Sequence, residues 1–263
     1  AAGDGEMTVR VLNTNTNKIY HATFSVRDGR FDEAGDFVIP GVAGSGSRIR
    51  LDYLDPGGAT TKALLPTGNA LDILDVDGVG RVEASLVDAS NAVVIVAAER
   101  FGKTGSESVA ELEADKAFME TLDNVRRAAA VAMGLAKTPD KAPLGNPKIG
   151  IVGKPMPYRT LAGVEVDPAL ADLAARVVSM GQVHRVLPLT GAMCLAVACR
   201  IPGSVANALV RPQPGDLRLA NPSGVLPVDA QVRVSNSDVH AESVTVYRTA
   251  RPLMAGSVLV PPS

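Results

Sequence analysis

The stretch Ser179–Ser204, SMGQVHRVLPLTGAMCLAVACRIPGS, constrains this chain more than any other. From Gly191 to Cys199 it carries no charged and no strongly polar side chain. A helix that is apolar on every face has to be covered on every face. The run is much shorter than the ~20 apolar residues of a bilayer span, so protein rather than lipid must supply the cover. Thr190 stands in the N-cap position, Pro188 lies just upstream, and Pro202-Gly203 ends the segment after Arg200. The pattern predicts a buried helix over 190–200. Its N-terminal N–H groups and their partial positive charge suit a carboxylate or a phosphate. His184 lies in the loop that leads into it.

With 263 residues the chain is long enough for one large domain or two ordinary ones. Hydrophobic content of 46% against 21% charged supports real cores rather than disorder. A net charge of −2 without a Lys/Arg cluster gives no support to nucleic-acid or membrane binding. Four Tyr, five Phe and no Trp are few for base-stacking or carbohydrate platforms. Cys194 and Cys199 stand five residues apart on the predicted helix, which is not disulfide geometry. They read as reduced, buried thiols of a cytoplasmic protein. No signal peptide, transit peptide or membrane span is found. Ala1 as the first residue is read as the mark of a chain cut upstream.

Taken in order, residues 1–54 read as β structure, with runs at Met7–Leu12, Ile19–Val26, Phe31–Ile39 and Arg48–Leu54. Turns are expected at Asn13–Asn17 and Asp28-Gly29. The Gly41–Gly46 fragment lacks the Gly-Lys-Ser/Thr ending of a phosphate loop. Leu65–Asp72 reads as a connection. Val79–Val87 and Ala92–Ala98 read as strands around the turn Asp88-Ala89-Ser90-Asn91. Thr104–Lys137 changes to helical period, with Phe118, Leu122, Val125, Ala129 and Met133 on one face. After the linker Pro139–Pro147 a strand is expected at Lys148–Val152. A second amphipathic helix is expected from Asp167-Pro168, with Leu170, Leu173, Val177 and Val178 inward. Strands are expected again at Val205–Val210, Leu217–Leu219, Val225–Val234, Ser243–Arg248 and Ser257–Val260, with turns at Asn221–Gly224 and Ser235–Asp238.

Seven collinear stretches carry a resemblance: NTNTNKI (Asn13–Ile19), LPTGN (Leu65–Asn69), GVGRVEASLVDASN (Gly78–Asn91), SMGQVHR (Ser179–Arg185), TGAMCLAVACRIPGS (Thr190–Ser204), NPSG (Asn221–Gly224) and RTARPLMAGSVLVP (Arg248–Pro261). Together they resemble the PrpF family of 2-methylaconitate cis-trans isomerases, which includes methylitaconate Δ-isomerase and 4-oxalomesaconate isomerases or tautomerases. The resemblance implies an α+β, diaminopimelate epimerase-like fold, in which two similar halves each wrap a β-barrel-like sheet around a central helix. On that basis residues 1–80 are the remainder of the first half. Residues 81–250 are the second half with its central helix over 190–200, and residues 251–263 return to the first half. The family's Ser-Gly-Asn-Cys-Gly-Asn type motif with its catalytic Cys, and its upstream catalytic Lys, have no counterpart here.

What the resemblance implies is a cofactor-independent cis-trans or allylic double-bond isomerisation by proton transfer. The substrate would be a small unsaturated tricarboxylate such as 2-methylaconitate or 4-oxalomesaconate, and the chain alone would be inactive. No metal is suggested, since His21, His184 and His240 lack ligand spacing. The catalytic residues are unknown, and the expected substrate contacts are hydrogen-bonding anchors. They are Ser90 and Asn91; Met180, Gly181 and His184; Thr190, Gly191 and Ala192; and Ser223 and Gly224. Each has a structural alternative as a cap, turn or core residue. Family members often have His where Asn221 stands, which weakens the assignment of the NPSG turn. Expected partners are the di- or tricarboxylate, with a second copy of the chain and the missing N-terminal segment as candidate protein partners.

Two other readings compete. A cofactor-independent epimerase of the diaminopimelate or proline type would use a cysteine where Thr190-Gly191 stands. A non-catalytic accessory or ligand-binding protein would account for the absent Cys and Lys.

Overall fold

The computed structural model describes residues 4–14, 18–235 and 238–260. The expected turns at Asn13–Asn17 and Ser235–Asp238 fall partly outside these residues, as does the end of the last resembling stretch.

The N-terminal runs form β1 (Gly5–Asn13), β2 (Lys18–Arg27), a short β3 (Arg30–Phe31) and β4 (Ile49–Leu54). Asp28 and Gly29 make the β2–β3 turn at positive φ, 50° and 70°. Next come β5 (Asp72–Val76), β6 (Gly80–Asp88) and β7 (Ala92–Ala97). Two helices follow, α1 (Val109–Ala114) and α2 (Lys116–Ala132). Ser108 and Glu111 form a reciprocal capping box on α1, and the Asp115 carboxylate accepts from the Phe118 N–H at the start of α2. Beyond them lie β8 (Lys148–Gly153), the hairpin β9 (Tyr158–Arg159) and β10 (Glu165–Val166), β11 (Leu173–Ser179) and β12 (Gln182–Val183). The chain ends with α3 (Leu189–Cys199), α4 (Val205–Leu209), β13 (Leu217–Asn221), β14 (Gly224–Ser235) and β15 (Asp238–Arg248).

Among the described residues thirteen strands join one mixed sheet, in the order β1-β2-β4-β15-β14-β13-β11-β8-β7-β6-β5, with β3 attached to β2 and β12 to β11. This corrects the expectation of two barrel-like halves. The path ends at β1 and β5, which do not pair with each other, and no sheet closes. Nor does each half keep its own ladder, because β4 pairs with β15, Leu51 lying opposite Val246. Barrel closure requires the last strand to hydrogen-bond to the first at a fixed stagger. Here the sheet covers α3 without that pairing.

Alternation along the strands explains how. Val93 and Ile95 of β7, Val152 of β8, Leu173, Ala175 and Val177 of β11, and Val228 of β14 face α3. The intervening Val94 and Val96 of β7 and Ile149 and Ile151 of β8 face the other side. There Phe118, Leu122, Val125 and Ala129 of α2 cover them. Gly191–Cys199 is buried throughout, as the all-apolar pattern predicts.

Several local expectations fail for identifiable reasons. Residues 168–170 form a short 3-10 turn and Leu173–Ser179 is a strand, not the inward face of a helix. A strand buried on both faces reads as a continuous apolar run, which spacing alone does not separate from a helix. Val205–Leu209 is helical because the Ser204 hydroxyl accepts from the Asn207 N–H and caps it. Of the 31–39 run only its first residue stays in a strand, the rest contributing a bridge from Phe37 to Gly46. Residues 249–260 have no regular structure and all but the first of them are exposed, so no strand forms at Ser257–Val260. β5 lies where a connection was expected to end.

Candidate functional site

Strand direction alone brings most of the expected contacts to one end of the sheet. β7 and β8 run parallel, β11 runs against β8, β13 runs with β11, and β6 runs against β7. The end of β6 with Ser90-Asn91, the start of β8, the end of β11 with Met180-Gly181, and the end of β13 with Ser223-Gly224 therefore share one rim. α3 points its N-terminus at the same rim, where the Asn91 amide donates to the Thr190 hydroxyl at 3.4 Å.

The cap of α3 differs from expectation. Pro188 is the N-cap, with φ −60° and ψ 138°, and Thr190 is the second residue of the helix. The Pro188 carbonyl accepts from the Ala192 N–H at 2.9 Å, closing the first turn. Ala192 therefore has no N–H left for a ligand. No side-chain cap satisfies the first turn, so the N–H groups ahead of Ala192 keep the unpaired character of a helix start. Gly191 is needed for packing, since a Cβ there would come within 2.9 Å of Pro188 Cγ.

Other expected contacts already have structural work. The Ser90 N–H donates to the Pro56 carbonyl at 2.7 Å, and Ser90 sits at φ 63°. Its neighbour Asp88 is fully buried, and one carboxylate oxygen accepts from the Thr60 N–H and the Thr61 N–H and hydroxyl. The Asp88-Ala89-Ser90-Asn91 turn thus holds the 56–64 loop against the rim. Ser223 donates its hydroxyl to the Arg185 carbonyl at 2.8 Å, and its N–H to Asn221 Oδ1 at 3.1 Å. Gly224, at φ 139°, leaves room for Pro40, whose Cβ a side chain there would meet at 3.1 Å.

Met180 and Gly181 make the β11–β12 turn at φ 52° and 76°. Met180 is exposed, and Gly181 lines a hollow of about 580 Å³ shared with Val109, Glu113, Lys116 and Met119 on α1 and α2. This pair faces outward, away from α3. His184 is held by its N–H to the Val177 carbonyl. Its Nε2 is sealed from solvent without a hydrogen-bond partner. Burial, and then the nearby Lys148 charge, push its pKa down, so the ring is neutral at neutral pH.

Neither thiol is placed for proton transfer. Cys194 and Cys199 are buried within α3, and burial pushes both up to about 12. The Cys194 thiol donates to the Val87 carbonyl at 3.4 Å. Lys148, not among the residues singled out from sequence, stands at the start of β8 directly beside Val93. Its one visible signal is parity, two residues ahead of the glycine Gly150 on the strand face that meets α3. Among the described residues no group of three or more His, Cys, Asp or Glu side chains is placed to hold a metal ion. No helix there is long and apolar enough to cross a membrane.

Fold and rim together define a mixed-sheet protein built around one buried helix, offering hydrogen-bond donors and an ammonium but no reactive thiol. Residues 2–261 match the family described as PrpF protein, and the chain belongs to that family. It is 32% identical over 98% of its length to 2-methyl-aconitate isomerase of Shewanella oneidensis, of which it covers 66%. To 3-methylitaconate isomerase of Eubacterium barkeri it is 33% identical over 96% of its length, covering 67% of that protein. A 4-oxalomesaconate tautomerase of Pseudomonas putida is 32% identical over 99% of the chain and is covered to 66%. The crystal structure of a methylitaconate-delta-isomerase superposes with a TM-score of 0.86 at 30% identity, covering 98% of this chain and 70% of that one. The chain thus spans about two thirds of the length of these relatives.

Proposed function

We propose that this chain is the substrate-holding part of a cofactor-independent isomerase of small unsaturated tricarboxylates, such as 2-methylaconitate or 4-oxalomesaconate, acting in the cytoplasm. One observation carries the reading. The sheet gathers the Asn91–Thr190 contact, the uncapped start of α3 and the Lys148 ammonium at a single rim. The names of the relatives supply the substrate class. Such isomerisation needs a base, an acid and firm anchors for the carboxylates. The rim supplies anchors, and both thiols are sealed away from it.

The test is proton NMR in deuterated water with 2-methylaconitate, 3-methylitaconate and 4-oxalomesaconate. It is run with the chain alone and with the chain supplemented by the N-terminal third of a family relative. Saturation transfer to at least one acid is expected with the chain alone, and deuterium incorporation only in the supplemented sample. Folded chain that binds none of these acids overturns the proposal. Binding without exchange in either sample would favour the non-catalytic ligand-binding reading, which the sealed thiols also fit.

A further inference from the structure

We propose that Lys148 is a carboxylate anchor of the α3 rim, its ammonium taking one carboxylate of a small tricarboxylate whose other end meets Asn91 and Thr190. The inference rests on the functional reading above and adds to it a residue and the charge the ligand must carry.

Position comes first. Lys148 pairs with Val93 and is followed by Ile149, which lies opposite Val178 of β11. Val93 and Val177 face α3, and a Cβ on Gly150 would meet Leu195 of that helix at 3.7 Å. By the two-residue period of a strand, Lys148 shares this inward face. Asn91 closes the turn ahead of β7, two residues before Val93 and so at most about 7 Å from it, a distance the four-carbon stem of a lysine spans. On the other side Lys148 adjoins Ser179, one step past the last β8–β11 pair. It thus places a cation in the middle of the rim.

Its electrostatic state is unusual for this chain. Lys18 is paired with Asp55 at 3.2 Å and Lys103 with Asp115 at 2.7 Å, while Lys154 is exposed. Lys148 is half-buried, and no carboxylate among the described residues acts on it. Burial alone moves its pKa, and it moves it down. A partly desolvated ammonium without a counter-charge is unfavourable, and a bound carboxylate supplies the missing charge with charge-assisted hydrogen bonds. The neutral His184 ring beside it adds no competing cation.

Tricarballylate, a saturated and unreactive tricarboxylate, is the probe, titrated calorimetrically into the native, Lys148→Met and Lys148→Arg proteins. Lys148→Met is expected to weaken binding about tenfold or more, and Lys148→Arg, which keeps the charge, by less. Equal affinity of the native and Lys148→Met proteins overturns the assignment of Lys148 and leaves the reading of the rim standing. A native protein that does not bind tricarballylate overturns both. If Lys148→Met does not fold, ¹³C-methylated lysines of the native protein give the second readout, with the Lys148 signal assigned by its loss in Lys148→Arg. That signal must shift on saturation more than those of Lys103 and Lys154. A Lys148 signal that stays in place overturns the proposal.

Discussion

Strands β1 and β2 at one end of the sheet and β7 toward the other are covered very differently. In β1 every residue is exposed or half-buried, and in β2 only Val26 is buried. In β7 Ala92–Val96 are fully buried. The sequences differ accordingly: β7 is apolar throughout, AVVIVA, whereas β1 and β2 interleave Val, Leu, Ile and aromatic residues with Glu, Thr, Arg, Lys and His. What lies on the faces matches that difference. β7 has α3 on one side and α2 on the other, and both layers of its pleat are covered. Among the described residues no helix covers β1 and β2, which are held instead by cross-strand pairs. Tyr20 stacks on Tyr53 at 5.0 Å, Phe24 meets Phe31 edge-on at 5.6 Å, and the Thr8 and Thr23 hydroxyls lie 2.8 Å apart. Burial in this fold therefore follows strand composition and neighbouring elements together.

The largest effect that would test this contrast is expected at Leu195, fully buried on α3. Leu195→Ala should lower stability by about 2–5 kcal/mol, the range for large-to-small changes in well-packed cores. The matched change Leu12→Ala in β1, where the side chain is 55% exposed, should cost no more than about 0.5 kcal/mol. Urea unfolding of both variants decides it. Similar losses at the two positions would break the comparison.

Second in size is a pH effect belonging to the α3 region. Cys194 and Cys199 are raised from 9.0 to about 12 in the folded protein. Above pH ~9 the unfolded chain releases thiol protons that the folded chain keeps, so stability falls as pH rises from about 9 toward 12. Each thiol contributes a slope of at most ~1.4 kcal/mol per pH unit. Tyr247, also raised to about 12 by burial and by its bond to Asp216, adds in the same direction from its higher starting value. Urea midpoints between pH 8 and 10 should decline, and less steeply in a Cys194→Ala, Cys199→Ala double variant. Parallel slopes would mean that the thiols are more accessible than α3 allows.

Smaller still is the change expected at the rim. Thr190→Val removes the acceptor of the Asn91 amide while keeping the size of the side chain. It should weaken tricarboxylate binding severalfold and change stability by less than about 1 kcal/mol. Unchanged affinity in calorimetry would remove Thr190 from the site. The smallest effect is expected from removing residues 252–263. Leu253, Met254, Val258, Leu259 and Val260 are each more than 80% exposed, and their loss should leave the free energy of urea unfolding within about 0.5 kcal/mol of the native value. A larger drop would show that this segment covers part of the N-terminal sheet.

Much of the candidate rim could be read along the chain, but not how its members are spent. Asn91 and Thr190 do meet, whereas Ala192 gives its N–H to Pro188, Ser223 gives its hydroxyl to Arg185, and Met180-Gly181 turns outward. Such choices depend on the loop lying opposite, which no local pattern records. Lys148 was missed for the same reason. It is an ordinary strand-start lysine in sequence, and only its pairing with Val93 places it in front of α3.

By itself the sequence determined what depends on neighbours within a few positions. The unbroken apolar run from Gly191 to Cys199 requires a fully covered helix, and the period of Phe118, Leu122 and Val125 commits α2 to one apolar face. The tertiary structure decided what depends on burial from both sides and on pairing between distant segments. Leu173–Ser179 became a strand because the parallel pairing with β13 and the antiparallel pairing with β8 satisfy its backbone on both edges. The sheet stayed open because β1 and β5 do not meet. Hydrogen bonds between strands far apart in sequence are formed or refused by the whole fold, and short-range periodicity carries no trace of them.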